Sequence, residues 1–253
     1  MKKLLLIIYL IAPLAIAQSI SVQYKSRFII DDALKTSLPP SAQNLLESLE
    51  KGENYSLLID GNKTLYFPTK EFNTFVEKKT KKDEKGNIEN SKTIGYKNPE
   101  IIYKDLSKNE IVSQIELVGK TYLIKEEISN LTWTIGNTTE NIGEFTCQKA
   151  TAIIDTDIVE AWFTNQIPIP QGPSNYYNLP GLILQVKINK KLITATKVSY
   201  DKTDANLIIP PTKGKPISRI EYKKIQNKIS NVTPGTTVTK DGNTTTKRTV
   251  IKY

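Results

Sequence analysis

The sequence predicts a mainly β protein, an antiparallel meander or curved sheet of half-barrel or sandwich-like form, with one or two short docking helices. Short runs of strand-forming residues recur at near-regular spacing between Ile101 and Tyr200. Turn residues separate them, as at Asn137–Asn141 and Asp155–Asp157. Long helices between the strands, which βαβ units require, are missing.

Taken in order, Ser19–Ile29 reads as a first strand. After Pro39-Pro40 the pattern changes, and Ala42, Leu45, Leu46 and Leu49 recur at helical spacing up to Gly52. Tyr55–Ile59 and Leu65–Phe67 flank Asp60-Gly61-Asn62, which predicts a hairpin. Residues 71–92 are lysine-rich and poor in apolar side chains after Val76, so they read as a solvated hairpin tip or insertion. Strands are then expected at Ile101–Asp105, Glu110–Leu117, Lys120–Glu126, Leu131–Ile135, Gly143–Thr151 and Ile158–Thr164. Two more follow, from Leu182 and from Leu192 to Tyr200. The β-rich region is expected to occupy residues 18–212, and a helix with a threonine-rich tail residues 213–253. Ser218-Arg-Ile-Glu221 has the form of a capping box, in which the serine hydroxyl and the glutamate each satisfy an amide at the helix start.

The chain opens with Lys2-Lys3, an apolar run from Leu4 to Ile16, and Ala15-Ile16-Ala17, the pattern of a cleaved secretory signal over residues 1–17. The run is too short to cross about 30 Å of hydrocarbon, so no membrane span is expected after cleavage. A formal charge of +9 is spread along the chain, and its densest cluster, Lys78 to Lys85, is broken by acids, so ordinary solubility explains it and nucleic acid is not an expected partner. One cysteine, Cys147, excludes an internal disulfide framework and reads as a small buried hydrophobe.

The stretch Glu160–Val186 joins two apolar strands through a connection dense in proline, glycine and asparagine. Leu179-Pro180-Gly181-Leu182 reads as a type II turn, with proline presetting one dihedral and Gly181 supplying a positive φ. With Tyr103-Lys104-Asp105, Leu131-Thr-Trp133, Ile142-Gly143-Glu-Phe145-Thr-Cys147, Ala161-Trp162-Phe163-Thr164, Ile167-Pro168 and Gly172-Pro173, this stretch resembles the GLPGLI family of exported proteins, found mainly in Bacteroidetes. Asn178 stands where the family has its leading glycine, and asparagine is the other residue that tolerates a left-handed backbone. Gln185 stands where an acid often follows the motif, which argues against a catalytic carboxylate there. The family has no established activity. The resemblance therefore implies a compartment, the periplasm or outer membrane of a Gram-negative envelope, and not a reaction.

The chain has no histidine. This removes histidine-based triads and dyads and the commonest zinc ligand, and no phosphate loop, dinucleotide fingerprint or nucleophile elbow is present. No catalytic residue, metal or cofactor is expected. Asp155, Asp157 and Glu160 are candidate acid–base or calcium-binding carboxylates, set against the simpler reading of turn residues. Tyr103, Lys104 and Asp105 form a second polar candidate. Trp133, Trp162 and Phe163 can line a groove or simply fill the core, whereas Tyr176 and Tyr177 sit in a loop, where exposed aromatics suit recognition. The expected function is non-catalytic binding of an envelope protein or ligand, with Trp162, Tyr176 and Tyr177 as contacts and Asn178, Leu179, Pro180, Gly181, Leu182 and Ile183 as the structural motif. A periplasmic carrier of lipid is the alternative, and a carboxylate-dependent hydrolase is a third reading.

Overall fold

Strand β1 (Ile20–Phe28) buries Ile20, Val22 and Tyr24 on one face, the period-two pattern that places it in a sheet. The computed structural model describes residues 19–37, 40–69, 75–82, 88–95, 99–117, 119–129, 131–200, 205–230, 236–241 and 244–250. The expected signal segment lies outside them. Helices α1 (Asp32–Ser37) and α2 (Pro40–Lys51) follow, then β2 (Glu53–Asp60), β3 (Lys63–Pro68), β4 (Phe75–Lys82) and β5 (Ile88–Gly95). Next come β6 (Glu100–Asp105), β7 (Glu110–Leu117), β8 (Lys120–Glu127), β9 (Thr134–Ile142), β10 (Phe145–Ile154) and β11 (Asp157–Thr164). The chain continues through β12 (Leu182–Ile188), β13 (Lys191–Ser199), the short β14 (Lys215–Pro216), α3 (Arg219–Ser230), β15 (Thr236–Asp241) and β16 (Thr244–Val250).

The protein is mainly β. Twelve strands form one sheet in the order β14-β8-β7-β6-β3-β2-β1-β13-β12-β11-β10-β9, antiparallel throughout except where β14 joins β8. Two meanders therefore meet at the β1–β13 pair. Chain length forces this sheet to curl. β8 and β9 lie ten places apart in the order, about 48 Å across a flat sheet. Yet only residues 128–133 join them, a reach of about 25 Å when fully extended. The two ends must approach each other, and the sheet rolls up without closing into a barrel. A second sheet, β15-β16-β5-β4, joins the lysine-rich hairpin to the C-terminal hairpin through the parallel pair β16–β5.

One expected strand boundary is corrected. Residues 137–141, read as a separator, belong to β9. An edge strand with most of its side chains in solvent needs no apolar alternation, so its sequence carries no strand signal. At the other edge, β14 is only two residues long and ends in Pro216, which blunts further pairing. The capping box is formed: Ser218 N–H donates to Glu221 Oε2 at 2.9 Å, and Glu221 N–H donates to Ser218 Oγ at 3.2 Å. Arg219 then pairs with Glu126, and Tyr222 and Ile225 pack over Ile115, Tyr122 and Ile124. No helix among the described residues is long and apolar enough to cross a membrane.

Candidate functional site

Residues 165–181, between β11 and β12, turn inward. Their backbone is bonded to itself in a way the prolines dictate. Ile169 N–H donates to Ile167 O, Gln171 N–H to Ile169 O and Gly181 N–H to Leu179 O, at 2.8, 2.8 and 2.7 Å. Each is a three-residue γ-turn centred on a proline, Pro168, Pro170 or Pro180, whose fixed φ is close to the value an inverse γ-turn needs. Longer bonds fold the segment onto itself: Asn178 N–H to Pro170 O, Leu182 N–H to Ile167 O and Ile183 N–H to Gln171 O. The expected type II turn is thus replaced by a γ-turn, and Gly181 is not among the residues with positive φ. Its requirement is space. A Cβ there would lie 2.1 Å from the Thr164 carbonyl oxygen. Asn178 is the left-handed residue, with φ of 70°.

This segment fills the curl between the two meanders. Ile167 and Tyr177 pack with Val22, Tyr24, Leu57 and Tyr66, while Leu179 packs with Ala161, Phe163 and Ile183, and Tyr176 touches both groups. Tyr24 donates its hydroxyl to Ile183 O at 2.6 Å, tying the motif to the central strand. The bridge between β8 and β9 is tied in as well: Trp133 Nε1 donates to Tyr177 O at 2.8 Å, Asn178 Nδ2 donates to Leu131 O, and Tyr177 donates its hydroxyl to Ser129 O. Tyr177 is buried, Tyr176 half-buried and Trp162 buried. The surface exposure that would suit Tyr176 and Tyr177 to recognition is not what the fold provides, because their rings supply the plug that the curl requires. Tyr177→Ala is expected to destabilise the protein by about 3–5 kcal/mol, and Tyr177→Phe by about 1 kcal/mol, both readable as urea midpoints.

The Tyr103-Lys104-Asp105 candidate is split by strand alternation. Tyr103 donates to Asp105 Oδ2 at 3.2 Å on one face of β6. Asp105 also receives the Ser107 hydroxyl and the backbone N–H of Ser107 and Lys108, and these bonds, that of the Ser107 hydroxyl foremost, hold its carboxyl below the usual range. Lys104 points the other way and is completely buried. Its Nζ donates to Ser174 O and Gly172 O at 3.3 and 3.4 Å and lies 5.2 Å from the Tyr177 ring centroid. No carboxylate among the described residues forms an ion pair with it, and burial pushes its pKa down to about 7. Cys147 is a free, buried thiol, raised to about 11 by burial.

The carboxylate candidates lie on the outside. Asp155, at φ of 57° in the β10–β11 turn, pairs with Lys223 of α3 at 2.7 Å, and Glu160 pairs with Lys149 at 3.2 Å. Asp157 and Glu160 line an open depression of about 380 Å³ with Thr156, Ile158, Lys187 and Asn189. Among the described residues, no group of three or more His, Cys, Asp or Glu is placed to hold a metal ion. Beside the depression, Ile153 and Ile158 face each other across β10 and β11 and are 76% and 64% exposed. This apolar pair was not singled out as a site in the sequence. Its signal was present in the strand alternation, since Ala150 and Ala152 on one face leave Ile153 on the other.

Comparison with known proteins adds fold and partial family information. No curated protein matches the sequence. Two crystal forms of PNGF-II, in space groups C2 and P21, superpose with a TM-score of 0.51 at 16% identity over 89% of this chain. The chain spans 35% and 36% of the length of those structures, about a third of the protein it resembles. At that identity the likeness is one of fold. Residues 153–185, which include the exposed isoleucines, both depression carboxylates and the whole inward loop, match the model of a family described as a protein of unknown function, Porph_ging.

Proposed function

We propose that the protein is an exported, non-catalytic binding module of the bacterial envelope, and that it engages a protein partner through the outer face of β10–β12. The observation that carries this reading is the exposed Ile153–Ile158 pair beside a depression of mixed charge. Adjacent β-branched apolar side chains in solvent, rimmed by Asp157, Glu160 and Lys187, have the composition of an interface: an apolar centre with a polar border. The basic start, apolar run and Ala15-x-Ala17 site, with the resemblance to the exported GLPGLI proteins, support the envelope location. The inward loop no longer serves as the recognition surface in this reading. It stiffens the scaffold that presents the outer face.

A lipid carrier needs an interior free for its cargo, and here Ile167, Tyr177 and Leu182 occupy the concave side. A hydrolase needs its carboxylates free to exchange protons, and Asp155 and Glu160 are engaged with Lys223 and Lys149. The test is photo-crosslinking in native cells from a reactive amino acid at position 153, repeated in an Ile158→Thr background. One dominant protein adduct, reduced at least about tenfold by Ile158→Thr with thermal stability preserved, is the expected outcome. Equal labelling of many proteins, or an adduct indifferent to position 158, would contradict the reading.

A further inference from the structure

Lys104 carries a buried ammonium that no carboxylate among the described residues neutralises. Its ammonium lies inside the curl with two carbonyls and one ring as neighbours, none of which carries a full negative charge. Around it, polar groups that a folded protein normally satisfies are left over. Thr64 pairs with Lys104 across β3 and β6, is completely buried, and its Oγ1 has no hydrogen-bond partner. Gln171 adjoins Gly172, whose carbonyl Lys104 contacts; it is 1% exposed, and neither its Nε2 nor its Oε1 is bonded. Asn175 follows Ser174, whose carbonyl is the other acceptor for Lys104, and its buried Oδ1 is also unbonded. Four orphaned side-chain atoms therefore belong to residues that pair with Lys104 or adjoin the carbonyls it contacts. Each would cost about 1–3 kcal/mol if left so.

Of the four, the Thr64 hydroxyl and Gln171 Nε2 can donate, whereas Gln171 Oε1 and Asn175 Oδ1 only accept. The Thr64 hydroxyl, the Gln171 amide and the third N–H of Lys104 are available, and the Asn175 amide can turn its own N–H inward. Water would satisfy the hydrogen bonds but leave the charge. An anion does both. Because Thr64, Lys104 and Gln171 are sealed from solvent, the ligand must be small enough to enter through a local opening of the loop, which excludes organic anions of any length. We propose that the region between β3, β6 and residues 171–175 binds a monovalent inorganic anion of chloride size, held by Lys104 Nζ, Thr64 Oγ1 and the Gln171 amide. Bound there, it fastens the inward loop to the β3–β6 half of the sheet.

The test is the thermal midpoint of the full mature chain, measured against chloride at constant ionic strength with a bulky organic anion as replacement. The wild type is expected to gain about 5 °C between about 1 and 300 mM chloride. Lys104→Met should remove that dependence. If Lys104→Met does not fold, Thr64→Val serves instead, and should shift the chloride midpoint upward at least about threefold. Crystals grown in bromide should show an anomalous peak within about 3.5 Å of Lys104 Nζ. Ordered water alone at that place would overturn the proposal, as would a chloride dependence that persists unchanged in the variants.

Discussion

Gly181→Ala is expected to destabilise the fold by more than about 3 kcal/mol, among the largest effects of any single methyl group in this chain. The added Cβ would meet the Thr164 carbonyl oxygen at 2.1 Å, and that carbonyl belongs to the end of β11, which is paired to β12. Backbone would have to move, since no flexible side-chain tip lies there to yield. Gly172→Ala should behave similarly, because its Cβ would lie 2.7 Å from Ile183 Cβ and 2.8 Å from Tyr176 O. Asn178 provides the control. Its φ of 70° suits glycine equally well. Asn178→Gly should therefore cost no more than about 1 kcal/mol, for the exposed hydrogen bond to Leu131 O that it loses, whereas Asn178→Ala should cost about 1–2 kcal/mol more. Urea midpoints for the four variants decide the matter. A Gly181→Ala protein within about 1 kcal/mol of wild type would mean that the motif is not packed as described.

Lys104→Met is expected to abolish a rise in stability that the wild type shows between about pH 7 and pH 10 in chloride-free buffer. Burial lowers the folded-state pKa of Lys104 to about 7, while the unfolded chain keeps its proton to about 10.4. Across that window the unfolded state binds more protons, so stability climbs with pH, by at most about 5 kcal/mol for a difference of about 3.4 units. Other buried groups act in the opposite direction. Burial raises the Cys147 thiol to about 11 and the hydroxyls of Tyr24, Tyr55 and Tyr66 well above their usual value. Their stabilisation is full at low pH and is lost once the unfolded thiol and phenols ionise, above about 8.5 and 10. The wild type should therefore show a maximum at mildly alkaline pH. The variant should be flat up to about pH 8.5 and then decline. Chloride should move the wild-type rise to higher pH, because a bound anion favours the charged lysine.

Much of the fold was legible because its strands obey two simple rules. Ile20, Val22 and Tyr24 alternate inward, as do Leu57 and Ile59, and the turns between strands carry Gly61 and Asn189 at positive φ. The Ser218–Glu221 cap was readable for a similar reason, since it depends on neighbours in sequence. Strand β9 was illegible because an edge strand in solvent carries no apolar period. The direction of residues 165–181 was illegible for a deeper reason. A loop rich in proline, asparagine and tyrosine has the composition of a surface connection. Only the six-residue bridge from β8 to β9 makes the sheet curl and creates an interior for that loop to fill. Lys104 illustrates the same gap. Grouped with Tyr103 and Asp105 in the sequence, it lies on the opposite face, and nothing local indicated that residues 172–174 would cover that face with carbonyls.

The central claim is that the Asn178–Ile183 motif and the loop before it form an internal plug. Native-state amide hydrogen exchange tests this most directly, through the N–H groups of Asn178, Leu182 and Ile183, which donate to Pro170, Ile167 and Gln171. These amides should exchange with the slowest class in the protein, alongside those of the central strands β1 and β2, by way of global unfolding. Exchange within seconds, at the rate of a surface loop, would contradict the account.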